Sequence, residues 1–262
     1  MRGRWVRLRR GLAADAAAAT LLALLCALFF WQVLTPDAAD RRWFAAGDFT
    51  DQFYAFRVHL ARELWAGRLP LWNPYALGGS PFLADIQAAV YYPLGLLTVL
   101  LAGKGGLPLL AVELEALAHY FLASFFLYLL VRDLARSRLA GLVSGLVYAY
   151  GSYLSSYPKL QMAILEGQTW VPLALLAVHR AAGAYEAGHR ERSTAWLAAG
   201  GLALGLSALA GHAQTTLLAG YTVAAYLLFA FWPTWRRSCR RERPALAARL
   251  LLLPLVALGL AA

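Results

Sequence analysis

The chain has 262 residues, 61% of them hydrophobic, a mean hydropathy of +0.55 and a formal net charge of +10. Soluble domains average about 45–50% apolar residues, so this composition excludes a water-soluble globular protein and makes length a poor guide to domain number. The positive charge invites a nucleic-acid reading, but the arginines cluster between apolar runs as topology signals do, and no nucleic-acid partner is expected.

Residues 1–15 form a basic N-terminus with Arg2, Arg4, Arg7, Arg9 and Arg10. The apolar run at 16–34 is close to the roughly 20 residues that a spanning helix needs. A cleaved signal peptide is the competing reading. The run is long for one and no small-x-small cleavage site clearly follows, so a retained helix with a cytoplasmic N-terminus is expected. Residues 35–106 then form an extracytoplasmic loop, and 107–262 hold further transmembrane helices. The apolar runs Leu107–Val131, Leu139–Tyr157, Ile164–Val178, Ala195–Ala210, Ala213–Trp232 and Leu250 onward bring the expected spans to about seven.

Ala88–Ala102 is apolar but short, and Pro93 and Gly95 interrupt it. If it does not cross, seventeen of the 24 Lys and Arg residues fall on the side of the N-terminus. If it crosses, every later loop changes side and that asymmetry is lost. The positive-inside rule therefore makes it a re-entrant or interfacial hairpin on the outer side. Nine of the 14 acidic residues then lie on or near the outer face, which places any chemistry there. The chain ends inside an apolar run, which reads as the N-terminal portion of a longer protein. Cys26 and Cys239 are expected at different depths, too far apart to bridge.

The longest polar stretch is Gly47–Pro74, GDFTDQFYAFRVHLARELWAGRLPLWNP. At 100° per residue Phe49, Phe53, Phe56, Leu60 and Leu64 share one stripe, while Asp48, Asp51, Gln52, His59 and Arg62 fall roughly opposite. The pattern predicts a helix lying flat on a membrane surface, apolar side down. Asp48 and Asp51, three residues apart, share a face in a regular helix. A positioned carboxylate can take the proton from an attacking hydroxyl, although Asp-x-x-Asp also reads as a helix cap.

GDFTDQFYAFR followed by GRLPLWNPYALGGSPFLADIQAAVYYPLGLL resembles the first outer loop of the YfhO family of bacterial membrane proteins. YGSYLSSYPKLQMAILEGQTWVPLALLAVHRA and LAGHAQTTLL are similar to it more loosely. That family in turn resembles the glycosyltransferase C superfamily. The resemblance implies an all-α, polytopic transmembrane bundle with juxtamembrane helices on its outer loop. It also implies an inverting sugar transfer from a polyprenyl-phosphate-linked donor to a cell-envelope glycan or lipid acceptor, in the bacterial cytoplasmic (inner) membrane. An aspartate serves as base. Asp48 and Gln52 match the family's own pattern, whereas Asp51-Gln52 matches the Asp-Glu pair of related transferases with Gln in place of Glu, so the choice of base stays open.

On that reading Gln52 and Asp85 position substrate, Asp85 otherwise serving as a loop-end cap. Arg57 and Lys159 are outer cations able to hold a donor phosphate, or to anchor the chain at the surface. His59 reads as a solvated face residue. Glu113 is read as snorkelling from the first turns of a span, beside Glu115, while His119 lies deeper and can face the bundle interior. His212 and Gln214 are placed at an outer helix end, lining a lipid-carrier groove or shaping a turn. No zinc signature, P-loop, dinucleotide fingerprint or nucleophile elbow is present, and no cofactor or metal is expected. The rival functions are a transporter or lipid flippase, and a non-catalytic assembly partner.

Overall fold

A computed structural model describes residues 2–44, 46–76, 78–156 and 161–261, with side chains from Gly11 onward. These residues are all-helical, with a single isolated antiparallel bridge, Asn73–Ser80. In chain order the principal helices are α1 (Arg2–Phe29), α2 (Ala55–Trp65), α3 (Pro93–Ala102), α4 (Leu109–Ala135), α5 (Arg138–Tyr150), α6 (Met162–Thr169), α7 (Val171–Glu186), α8 (Arg190–Leu209), α9 (Ala213–Arg237), α10 (Arg243–Leu250) and α11 (Leu252–Ala261).

Five segments are long and apolar enough to cross a membrane: Gly11–Phe29, Leu109–Ala135, Met162–Glu186, Ala213–Arg237 and Arg243–Ala261. Two of the seven expected spans are not among them. The helix at 139–157 stops at Tyr150 because Gly151 turns to extended backbone, leaving 13 residues. At 1.5 Å per residue that is about 20 Å, short of a hydrocarbon core of about 30 Å. α8 has the length, 20 residues, but opens with Arg190, Glu191 and Arg192. Ala88–Ala102 contains the ten-residue α3, too short to cross, started by Pro93 at its first position.

The outer surface of the bundle is greasy. On α9 the residues Thr215, Ala219, Val223, Leu227 and Phe231 are buried at a strict four-residue spacing, whereas Leu217, Tyr221, Leu228, Phe229 and Trp232 are exposed. Outward leucines also cover α1, α3 and α11. Such contiguous apolar exposure suits a bilayer and not water.

Charges separate the two ends of the bundle. At one end Asp15 of α1 binds Arg132 of α4 and Arg138 of α5, and Asp133 binds Arg132 and Arg180. Arg237 joins Glu186 there at 3.1 Å. The basic loops expected on one side are thus gathered at one end. At the other end lie the 43–106 loop, the 151–156 turn and the α8–α9 corner. That corner is tight: Gly211 has φ +82° and its backbone presses on the Ile86 carbonyl, where a side chain has no room.

Small residues close the helix seams, as in other membrane bundles. A Cβ on Gly141 would meet the Tyr128 carbonyl at 2.7 Å, and one on Gly145 would overlap the Ser124 carbonyl. α5 therefore lies directly on α4. Gly145→Val is expected to wedge the pair apart and to lower stability by about 1–3 kcal/mol, read as a drop in the thermal unfolding midpoint in detergent. Gly183→Ala on α7, where nothing lies within 4 Å, should not lower it and gains helix propensity instead.

Candidate functional site

The loop at the end away from the arginine cluster is built on α2. The residues before it, Phe49–Tyr54, form a π-helical turn. π-turns insert an extra residue and alter the angular phase, and they recur at functional sites. Phe49, Phe53 and Leu60 still go inside, against Phe44, Phe30 and Val112 of the first core. The helix is thus packed into the bundle rather than laid on a surface.

The consequence for the aspartates is that they meet different neighbours. Asp48 is half-buried and accepts a hydrogen bond from Gln161 Nε2. Asp51 is exposed, accepts from Thr50 Oγ1 at 2.8 Å, and faces an open cleft of about 420 Å³. The cleft is also lined by Tyr54, His59, Arg62, Asn73 and Tyr75.

Its far wall is the PLWNPYALGGSPF turn. Asn73 and Ser80 exchange backbone hydrogen bonds at 2.8 and 2.9 Å, and Asn73 Oδ1 accepts from the Tyr75 N–H. Gly79, at φ +115°, packs flat against the Trp72 indole, where a Cβ would come within 2.5 Å of the ring. Arg62 reaches across to donate to the Tyr75 hydroxyl at 3.0 Å and stacks on its ring.

His59 is 5% exposed, not a solvated face residue. The π-turn and the Trp72–Phe82 wall enclose it, with its ring edge-on to Phe82 at 4.7 Å. Nε2 lies 3.1 Å from the Trp72 carbonyl, which can only accept, so Nε2 carries the proton. Nδ1 is then a bare acceptor, buried and without a partner among the described residues.

Arg57 is the largest departure from expectation. It is not an outer cation free to hold phosphate; it is 4% exposed and neutralised. Nη2 donates to Glu115 at 3.1 Å and to Glu166 at 2.9 Å, and Nη1 to the Ala88 carbonyl at 3.3 Å. Burial opposes its charge, but the two carboxylates outweigh that and hold the guanidinium pKa above its ordinary value. A Cβ on Gly95 would meet Arg57 Cζ at 2.5 Å, so α3 approaches because residue 95 has no side chain.

His119 faces the interior, fully buried. Its Nδ1 lies 2.7 Å from the Glu115 carbonyl and so carries the proton, and its Nε2 lies 2.6 Å from the Tyr92 hydroxyl. Burial holds the Tyr92 phenol well above its ordinary pKa, so it donates to His119 and accepts from Trp170 Nε1 at 2.9 Å. Glu113 is fully buried rather than snorkelling; it accepts from the Phe44 N–H at 2.9 Å and pairs with Arg41 at 3.4 Å.

The remaining candidates take local roles. Asp85 is exposed and caps the single turn Ile86–Ala88 by accepting from the Gln87 N–H at 2.9 Å. Gln52 donates to Gln87 Oε1 at 2.7 Å, tying the π-turn to that cap. Gln214 is exposed on the first turn of α9. His212 is the N-cap of α9, its Nδ1 accepting from the Thr215 N–H. Lys159 lies outside the described residues.

Sequence reasoning passed over Glu166, Tyr75 and the pairing of Arg57. A glutamate inside the apolar run QMAILEGQTW was a usable signal, because a carboxylate at that depth requires a cation. Among the described residues no group of three His, Cys, Asp or Glu side chains could hold a metal ion. Comparison with family models, curated proteins and solved structures returns no match.

Two outcomes follow from this geometry. Arg57→Leu leaves two carboxylates buried without their cation and should cost about 3–5 kcal/mol, measured by denaturant unfolding in micelles. Gly95→Val, which evicts the guanidinium from its seat, should move stability the same way. Burial lowers the His212 pKa below its ordinary 6.5. The unfolded chain therefore takes up the proton first. This histidine's contribution is complete above 6.5 and is lost as pH falls from there. The unfolding midpoint of His212→Asn, which retains a cap acceptor, should fall less on acidification than that of the wild type.

Proposed function

We propose that this chain is part of a membrane glycosyltransferase that moves a sugar from a polyprenyl-phosphate donor to an extracytoplasmic cell-envelope acceptor. The observation that carries the reading is the open cleft lined by Asp51, Arg62, Tyr75, Asn73 and His59. Aromatic faces and polar groups that donate and accept are what a polyhydroxylated ring needs. The string that forms the far wall is also the one that resembles the YfhO family.

In the reaction the acceptor hydroxyl attacks the anomeric carbon as a carboxylate removes its proton. The sugar–phosphate C–O bond breaks with inversion, and the polyprenyl phosphate leaves with the electron pair. Asp51 suits the base better than Asp48, because its carboxylate is exposed to the cleft while that of Asp48 is occupied by Gln161. Arg57 is already neutralised, so the leaving phosphate falls to Arg62, which also lines an adjoining cleft of about 460 Å³ with Lys104 and Trp65. The gathering of basic loops at the opposite end supports an extracytoplasmic placement of the cleft, by the positive-inside rule.

The test is transfer from polyprenyl-phosphate sugars in membranes carrying the full-length protein. Asp51→Asn should reduce transfer about 10²–10⁴-fold at unchanged expression, with Asp48→Asn affected less. The reverse order would make Asp48 the base. Full transfer by the double variant would refute the reading.

A further inference from the structure

The cluster around Arg57 contains more negative charge than its cation can balance. Glu115 of α4 and Glu166 of α6 converge on the same guanidinium nitrogen, at 3.1 and 2.9 Å, and both residues are at least 96% buried. Because both contact one nitrogen, the two carboxyl groups are close neighbours. Glu115 Oε2 has no partner among the described residues.

The surroundings supply no second cation among the described residues. α2 contributes Arg57 alone. α3 presents Gly95, and the preceding turn the Ala88 carbonyl and the Tyr92 phenol. On α4 itself His119 is locked as a neutral ring, donating from Nδ1 to a carbonyl and accepting at Nε2 from Tyr92. α6 contributes Glu166 and the Thr169 hydroxyl, which points to the Leu165 and His119 carbonyls. Two ionised carboxylates in contact, away from water, repel strongly, and adjacent acids share one proton for that reason.

The cluster is buried, but it borders a groove. Glu115 also lines a groove of about 330 Å³ between α3 and α4, walled by Leu94, Leu97, Leu101 and Leu114. Three of those leucines are exposed on the apolar surface.

We propose that Glu115 and Glu166 together bind a single exchangeable proton, reached through the groove between α3 and α4. The proton balances the cluster at one guanidinium to one carboxylate, and, shared between the two acids, it offers Glu115 Oε2 the partner it lacks among the described residues. Its release leaves a net negative charge where α2 is tied to the bundle. The assignment does not rest on the sugar-transfer reading.

Dicyclohexylcarbodiimide, an apolar reagent that adds to protonated carboxylic acids, tests it on the full chain in lipid vesicles. The expected result is an N-acylurea adduct on the peptide containing Glu115. An infrared carbonyl band of a protonated carboxylic acid should accompany it and be missing in Glu115→Gln. In Glu166→Gln the remaining carboxylate has Arg57 to itself and ionises, so labelling of Glu115 should fall about tenfold or more. Folded wild-type protein with neither adduct nor band would overturn the proposal, as would undiminished Glu115 labelling in a folded Glu166→Gln. The wild-type measurements decide it by themselves if the variants do not fold.

Discussion

One guanidinium fixes where the outer loop sits. Arg57 is drawn into an apolar bundle by two carboxylates on two different long helices, and a charge placed there cannot leave without stranding its partners. Because Arg57 belongs to α2, the clamp docks that helix against α4 and α6. α3 then lies over the clamp, where glycine at position 95 allows contact. The His119–Tyr92–Trp170 chain continues the same polar seam toward the second core, which holds Tyr92 and Trp170 with Val178, Leu197 and Phe231. A segment that composition alone would leave at the surface is thereby made part of the core.

The same physics operates in opposite senses at the two ends. At the basic end Asp15 and Asp133 are shared among arginines of several helices, and these groups are partly solvated. Such pairs are individually weak; their effect is to hold helix ends in register while excess arginine faces outward. At the loop end the charges are few and deep, and each is met by a specific partner: Arg57 by Glu115 and Glu166, Glu113 by Arg41 and the Phe44 N–H. A deep charge contributes geometric specificity more than net stability, since its desolvation offsets much of the Coulomb attraction.

Legibility in the sequence followed how local the cause was. The helical character and the apolar spans at 16–34, 107–131 and 213–232 came from runs of side chains, and the reading of 88–102 as a non-crossing piece came from its shortness, Pro93 and the distribution of arginines between loops. The apolar stripe of Phe49, Phe53 and Leu60 was legible too, but as a membrane-facing one, whereas it turns into the bundle. The π-turn at Phe49–Tyr54 was not legible, because a change of helical pitch has no residue signature, and it is what separates the surroundings of Asp48 and Asp51. Arg57 was misplaced because, lying in the longest polar stretch, it was read as an outer cation free for phosphate or surface anchoring. Its partners lie 58 and 109 residues away in the chain, a distance over which periodicity carries no information. His59 failed for a related reason: the wall that buries it is the 71–82 turn, formed by Gly78 and Gly79 in left-handed backbone.

These placements divide the labour along a single helix. On α2 and the turn before it, Phe49, Phe53, Arg57 and Leu60 look inward and bear on stability, whereas Asp51 and Arg62 look into the cleft and bear little packing. The cleft's chemistry can therefore vary at low cost to the fold, but its position cannot, since displacing Arg57 shifts Asp51, His59 and Arg62 together. His59 belongs with the inward set: it is buried against Phe82 and anchored to the Trp72 carbonyl, and so ties the cleft wall to α2.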